Sequence, residues 1–284
     1  MQQQRAVKAS GGALEIVRTW DTPATAGYAT VTSDPDERSS LTEGPVGRIF
    51  PWASVTKVVT ALVTWIAVEE GITDWSEAVG PPGSSLAHLL AHASGLAPDS
   101  DQVLAPPGRT RIYSNRGIER AAEHVAEAAG LPFEVYAREA VLSPLGMTAT
   151  SLGNPAAGAA GPLVDLLALG RELLRPTLVA PVTLTRGTTV AFPNLSGVLP
   201  GFGSQHNNDW GLGVEIRGGK VPHWTAAGNS PRTFGHFGRS GSFIWVDPDA
   251  AVAAASLAER PFGPWATRAW PELSARILAE AAAT

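Results

Sequence analysis

The feature that most constrains this chain is where its strand-like runs fall: they cluster at the two ends and leave a helical middle. Residues 12–20 and 26–32 read as two short strands joined by a turn around Asp21-Thr22-Pro23. At the far end Trp210–Arg217, Thr233–Phe237, Ser242–Val246 and Ala251–Leu257 read as strands, with turns at Gly218-Gly219 and Asp247-Pro248-Asp249. Such an order implies a sheet assembled from both termini, with the helical part inserted into it. The expected class is α+β, an antiparallel sheet flanked by helices. The expected division is a discontinuous sheet domain, residues 1–50 and 208–284, and a mainly helical domain, residues 51–207, with an active site at their interface.

The helical signals follow in order. From Ser54 the residues Val55, Val58, Val59, Leu62, Trp65 and Ile66 have helical spacing, without Gly or Pro until Gly71. Ser84 and Ser85 precede a helix over Leu86–Ala93 that stops at Gly95. Asn115–Ala129 is amphipathic and closes at Gly130, Pro132 suits the first turn of a helix through Val141, and Pro162–Leu174 forms another, stopped by Pro176. Ser33 to Gly47 is a polar loop, and Arg48-Ile49-Phe50 is an extended lead into the Ser54 helix. Residues 176–209 have no period and read as loop, a wall for a cleft. Ala266–Ala283 reads as a closing helix, with Pro271 placed in its first turn or at a bend.

Three stretches carry possible chemistry. In Phe50-Pro-Trp-Ala-Ser-Val-Thr-Lys57, Ser54 opens the helix and Lys57 lies three residues on, facing the same way. A serine hydroxyl is a weak nucleophile that needs a base, and a lysine is a base only where burial or another cation holds its pKa down. Amides at a helix start also favour the negative charge of attack. Lysine is scarce here, Lys8, Lys57 and Lys220 among 21 basic residues, so one inside an apolar helix stands out. The second stretch is Tyr113-Ser114-Asn115, a phenol for proton transfer and an amide that donates and accepts; alone it reads more simply as a buried tyrosine with its hydroxyl satisfied and Asn115 as a helix cap. The third is Thr233-Phe-Gly-His-Phe-Gly-Arg-Ser-Gly-Ser242, where glycines in a strand pattern mark close approach by a ligand or another backbone. His236 there can assist proton transfer; the simpler reading is a glycine-rich turn with a satisfied histidine.

Together the three resemble the serine beta-lactamase and penicillin-binding-protein superfamily, in its class C branch, which includes esterases and D-amino-acid peptidases. That branch has the order S-x-x-K, Y-x-N, H/K-x-G, present here as Ser54-Val-Thr-Lys57, Tyr113-Ser-Asn115 and His236-Phe-Gly238. Leu86-Ala-His-Leu-Leu-Ala-His-Ala-Ser-Gly-Leu96 is similar to the branch's "HLLTHTSGL", Ser143-Pro-Leu-Gly-Met147 with Thr150 to its "PLGM..T", and Gly235 to Pro248 to its "GHTGFTG…VDP" strand pair. The resemblance spans roughly residues 45–175 and 208–258. It implies Ser54 as the acylated nucleophile, Lys57 as proton acceptor and Tyr113 as the shared acid and base. It further implies Asn115, His236 and Gly238 lining the site, and the backbone N–H groups of Ser54 and Arg239 as oxyanion hole, with no metal or cofactor required.

The chain departs from that branch in carrying His236 and Phe237 where a lysine and a threonine would serve the carboxylate of a penicillin-like substrate. Imidazole is mostly neutral near pH 7 and phenylalanine has no donor. This tilts the reading from beta-lactamase toward a serine hydrolase of small carboxylic esters. A beta-lactamase or D-amino-acid peptidase or amidase, an acyltransferase with an alcohol acceptor, and a non-catalytic ligand-binding member remain as alternatives. His88 and His92 stand four apart, but Leu89 holds the place of a zincin's catalytic Glu, so they are read as structural. Of nine tryptophans, Trp52, Trp210 and Trp224 are candidates for lining an acyl pocket.

Composition narrows the classes. The net charge is −5 with no basic cluster, which argues against nucleic-acid partners. There is no cysteine, which excludes thiolate metal sites and a Cys nucleophile. The polar start Met1-Gln-Gln-Gln-Arg5 lacks an apolar h-region and no apolar stretch reaches a membrane span, so the expectation is a cytoplasmic protein with a small-molecule ester or amide as its partner.

Overall fold

A computed structural model describes residues 8–9, 12–30 and 39–283. Strand β1 (Lys8–Ala9) is followed by a 3-10 helix over Ala13–Thr19, not by the strand expected there. The reason lies in spacing: the buried residues are Ala13, Leu14, Ile16 and Val17, two pairs three apart, while Glu15 and Arg18 face solvent. The Glu280 carboxylate accepts from the Ala13 N–H at 2.8 Å and so satisfies one amide at its start. Strand β2 spans Ala24–Thr30; residues 31 and 32 of the expected strand lie outside the described residues. Strand β3 (Ser39–Glu43) falls within the expected polar loop, and β4 (Phe50–Pro51) leads to the turn that bears Ser54.

That turn is a 3-10 helix, Ala53–Val55, running into α1 (Thr56–Glu69). Helix α1 is buried from Thr56 to Ala67 on every side, which explains an apolar run broader than one stripe. Helix α2 covers only Leu86–Leu90, because His92 is left-handed (φ 54°) and ends it earlier than Ala93. Helix α3 spans Asn115–Ala129, with the Ser114 side chain accepting from Gly117 N–H and Gly130 left-handed at its end. Helix α4 (Phe133–Ala137) passes into a π turn over Arg138–Leu142. Strand β5 (Ala160–Gly161) pairs with β4, and α5 (Leu163–Leu174) lies on the sheet.

Residues 176–209 are not all loop. They contain α6 (Pro181–Thr188), started by Pro181 at its first position, and a hairpin of β6 (Gly197–Leu199) and β7 (Gly203–Gln205). The strand expected over Trp210–Arg217 shrinks to β8 (Glu215–Ile216), since Gly213 is left-handed and lies where a Cβ would strike Ala61. Strands β9 (Phe234–Gly238), β10 (Ser242–Asp247) and β11 (Val252–Ala258) complete the sheet, and α7 spans Ala266–Ala281. Pro271 sits in the second turn of α7, forgoing one helix bond, between the buried anchors Trp270 and Leu273.

The seven-stranded sheet has the order β1-β3-β2-β11-β10-β9-β8, antiparallel except for β1 with β3. Its early and late strands meet where β2 pairs with β11, in register from Ala24–Ala258 to Thr30–Val252. One face, with Tyr28, Phe243 and Trp245, packs on the 3-10 helix and α7. The other, with Ile244, Ala253 and Ala255, shares a core with α1 and α5. No helix among the described residues is long and apolar enough to cross a membrane.

Candidate active site

Ser54, Lys57, Tyr113, Asn115 and His236 converge where the start of α1, the start of α3 and the end of β9 meet. The turn that bears Ser54 is held from several sides. Trp52 N–H donates to Ala159 O at 2.8 Å, Thr56 Oγ1 donates to Ala53 O at 2.6 Å and accepts from Ala159 N–H at 2.9 Å. Strand β9 is seated on the same turn: Ser242 Oγ donates to Trp52 O at 2.7 Å, and Gly238 lies so close that a Cβ would collide with that carbonyl and with Ser242 Oγ. Gly238 thus lets the end of β9 pack directly on the turn that bears Ser54. Among the described residues neither the Ser54 nor the Arg239 N–H donates to a neighbouring loop or side chain.

Lys57 is fully buried, with Nζ 3.2 Å from Ser54 Oγ, 2.7 Å from Asn115 Oδ1 and 2.8 Å from Ala156 O. It also stands 4.8 Å from the centre of the Tyr113 ring. Burial pulls its pKa down from 10.5 to about 7, against the opposing pull of Asp99 and Glu119. Two of its three partners are acceptors only. A neutral amine has two N–H groups and one lone pair, so Asn115 Oδ1 and Ala156 O take the hydrogens and the lone pair is left facing the Ser54 hydroxyl. The orientation of the Asn115 amide is fixed independently, because its Nδ2 donates to Asp99 Oδ1 at 2.7 Å.

The opposite side is a group of rings. Tyr113 Oη lies 3.3 Å from His236 Nε2, and His236 Nδ1 lies 2.7 Å from Phe237 O. A carbonyl only accepts, so Nδ1 carries the imidazole hydrogen. Burial, reinforced by Lys57, pushes the His236 pKa down to about 3, so the ring is neutral and its Nε2 accepts the Tyr113 proton. Burial raises the Tyr113 pKa, while its interaction with the Ser54 side chain pulls the other way. His92 and Trp210 complete the group, with ring centres 4.6 and 5.8 Å from Tyr113, and Trp210 is 5.4 Å from His236. His92 Nδ1 accepts from Ser114 N–H at 3.1 Å; its Nε2 has no hydrogen-bond partner among the described residues and packs with the ring edge-on to Trp210. Burial first, then the neighbouring Lys57, His236 and Arg111, holds this imidazole well below its ordinary pKa.

The remaining wall is tied by Arg111. Its buried guanidinium donates to Asn208 O (3.0 Å), Ala91 O (2.6 Å), Ala191 O (3.0 Å) and Phe192 O (3.1 Å), so the segment after α6 and the end of α2 share one anchor. Of the three tryptophans considered for an acyl pocket, only Trp210 touches the site. Trp52 is sealed in the core with its Nε1 donating to Gly161 O, and Trp224 lies on the α7 side of the sheet, donating to Glu215. His88 is a helix-start residue, accepting from Ser85 N–H and stacking on Phe192 at 4.1 Å. The residues that spacing alone overlooked are His92, Asp99 and the Ala156 carbonyl. The only prior signal was that His92 belongs to the Leu86–Leu96 stretch; nothing in the pattern marked the other two.

A family model described as Beta-lactamase matches residues 3–279. A crystal structure of a beta-lactamase from Mycobacterium bovis is 48% identical, covering 95% of this chain and 99% of that one, with a TM-score of 0.90. Simvastatin synthase from Aspergillus terreus is similar in fold, at 16% identity, 96% and 94% coverage and a TM-score of 0.76. So is a D-stereospecific amidohydrolase from Streptomyces sp., at 18% identity, 93% and 96% coverage and a TM-score of 0.69. A comparison with functionally curated proteins finds no match.

Proposed function

The chain belongs to the beta-lactamase family, whose fold serves serine hydrolases and acyl transferases, and from that premise we propose that it hydrolyses small carboxylic esters through an acyl-enzyme on Ser54. The observation that carries the reading is the lone pair of a sealed Lys57, with a pKa of about 7, 3.2 Å from the Ser54 hydroxyl.

In this reading neutral Lys57 takes the Ser54 proton as Oγ attacks the substrate carbonyl, forming the C–O bond and an oxyanion. The N–H groups of Ser54 and Arg239 stabilise that oxyanion. Collapse expels the alkoxide, which takes a proton from Tyr113 Oη or from the Lys57 ammonium. Tyr113 acts as an acid rather than a phenolate, since burial raises its pKa and His236 Nε2 holds its hydrogen. Water then attacks the ester of Ser54, passing its proton to the same pair, which returns one to Ser54 Oγ as its bond to the acyl carbon breaks and the acid leaves.

A true beta-lactamase is the second reading, favoured by the description of the 48% identical relative. Against it stands His236, a neutral ring with its one hydrogen given to Phe237 O, which offers no cation to a substrate carboxylate. Intact-mass spectrometry after incubation with a p-nitrophenyl ester and, separately, a chromogenic cephalosporin tests both, alongside turnover. Ester turnover with an acyl adduct that Ser54→Ala loses, and little cephalosporin hydrolysis, supports the esterase. Efficient cephalosporin turnover replaces it with the beta-lactamase. An adduct without turnover, relieved by an added alcohol, replaces it with an acyltransferase.

A further inference from the structure

Asp99 lies outside the three motifs, exposed at the tip of a loop, yet its placement is fixed by backbone anchors. Leu104 N–H donates to Gly95 O and Ala97 N–H to Gln102 O, both at 2.8 Å, closing the loop at its base. The loop is then docked on the start of α3: Pro98 O accepts from Asn115 N–H at 2.7 Å and from Arg116 N–H at 3.1 Å, and Ala97 O accepts from Ser114 Oγ at 2.7 Å. The Asp99 carboxylate is thereby set against the Asn115 amide nitrogen, and Asn115 spans from it to Lys57.

That span has a directional consequence. If the Asn115 amide turned over, its NH2 would face Lys57 and could only donate. The neutral amine would then meet it with its lone pair and would present a hydrogen, not a base, to Ser54. A carboxylate at Asp99 forbids the turned-over state, because it has no hydrogen to give to Oδ1. We propose that Asp99 is a positioning residue for acyl transfer: through Asn115 it aims the lone pair of Lys57 at Ser54. Its charge, beside that of Glu119, also opposes the burial that pulls the proton off Lys57. The assignment rests on the serine-hydrolase reading above only for its consequence in turnover.

Other groups face Lys57 and must be separated from Asp99. From α3 comes Glu119, which opposes the burial effect as Asp99 does but is engaged with Asn154 Nδ2 at 2.8 Å and Arg116 at 3.4 Å. From β9 and the end of α2 come the neutral rings of His236 and His92, and Tyr113 lies over the amine. Among these, Asp99 is the group hydrogen-bonded to Asn115.

The test uses the scarcity of lysine. With three lysines in the chain, a carbon-13 lysine label gives three side-chain signals, and Lys57 is the one missing from Lys57→Ala. Asp99→Asn removes the charge and keeps an acceptor for Asn115, but its own amide can also donate, so the turned-over state is no longer forbidden; Asp99→Ala removes both charge and acceptor. Both variants should lower the Lys57 titration midpoint by about half a pH unit, the size expected of a charge two hydrogen bonds away across a partly solvated path. On p-nitrophenyl esters the acidic limb of kcat/KM should move by the same amount. Its high-pH plateau should fall about tenfold or more in Asp99→Ala, and by less in Asp99→Asn, which still offers the original Asn115 orientation an acceptor. A midpoint unmoved in both variants, or equal plateaus in the two, would overturn the assignment. Absence of any Ser54 adduct in the wild type would instead sink the hydrolase reading, while the titration would still decide whether Asp99 governs Lys57.

Discussion

Tyr113 Oη and His236 Nε2 are 3.3 Å apart, and only the tyrosine can be the donor, because the imidazole hydrogen is already committed to Phe237 O at 2.7 Å. A residue from the start of α3 thus has its proton held by one from the sheet, 123 positions along the chain.

Removing the acceptor should loosen the acid. His236→Phe keeps a ring in the cluster but leaves the Tyr113 hydroxyl without its partner, which should cost about 1–2 kcal/mol, or roughly tenfold or more in kcat/KM for an ester. Steady-state kinetics check this. A thermal melt should show little change, which would separate the effect from unfolding.

Lys57 should impose an acidic limb on turnover. Its neutral form is the base and burial sets its pKa at about 7, so kcat/KM should rise with pH through that value. The same shift is visible in stability. Between pH 7 and 10.5 the unfolded chain holds a proton on Lys57 that the folded chain lacks, so its contribution to stability rises with pH across that window. Lys57→Met should therefore abolish turnover while stabilising the fold at pH 7 or below, by on the order of a few kcal/mol, an advantage that shrinks toward pH 10. Urea titrations of both proteins across that range are the measurement; a constant difference would contradict the buried-amine account.

Gly238→Ala should misplace the nucleophile. Its Cβ would collide with the Trp52 carbonyl and Ser242 Oγ, so either β9 or the turn bearing Ser54 must shift. A displacement near 1 Å costs about 100-fold in rate. The rate of Ser54 acylation, followed by mass, should fall by that order with the secondary structure retained in circular dichroism.

Arg111→Met should destabilise the wall. The guanidinium satisfies the carbonyls of Ala91, Ala191, Phe192 and Asn208, and a thioether satisfies none. The expected loss is about 3 kcal/mol in urea unfolding, with raised protease sensitivity between residues 188 and 210.

The sequence made legible whatever repeats or is locally spaced. Helix α3 was readable in its extent, because Gly130 ends an amphipathic run that starts at Asn115, but its cap is Ser114 and not the expected Asn115. Ser54 and Lys57 could be paired on spacing alone, and the order of the three motifs marked Tyr113 and His236 as residues to bring together. The structure places all four in one site. Less was readable where a short segment fits two periods. Over Ala13–Thr19, pairs three apart compete with alternation, and only packing on α7 decides for the 3-10 helix. Helix α6 escaped notice because Gly187 is its only buried residue, leaving no apolar stripe. His88 and His92, read as structural residues of one helix, do not share it: α2 ends at Leu90 and His92 is left-handed, so the two rings lie on no common helical face. Asp99 had no pattern at all, since its role depends on which way the amide of another residue points.

Ser54 and Lys57, the proposed nucleophile and base, sit three residues apart at the start of α1. The strand that carries His236 and Gly238 leaves the ribosome nearly two hundred residues later. On the proposed mechanism a growing chain therefore carries Ser54 and Lys57 long before the residues of the oxyanion hole and the acid are all present, and it becomes a competent catalyst only when β9 docks beside Trp52. Chemical reactivity at Ser54 is thus a late reporter of assembly, and a mechanism-based ester probe would score completed folding rather than synthesis.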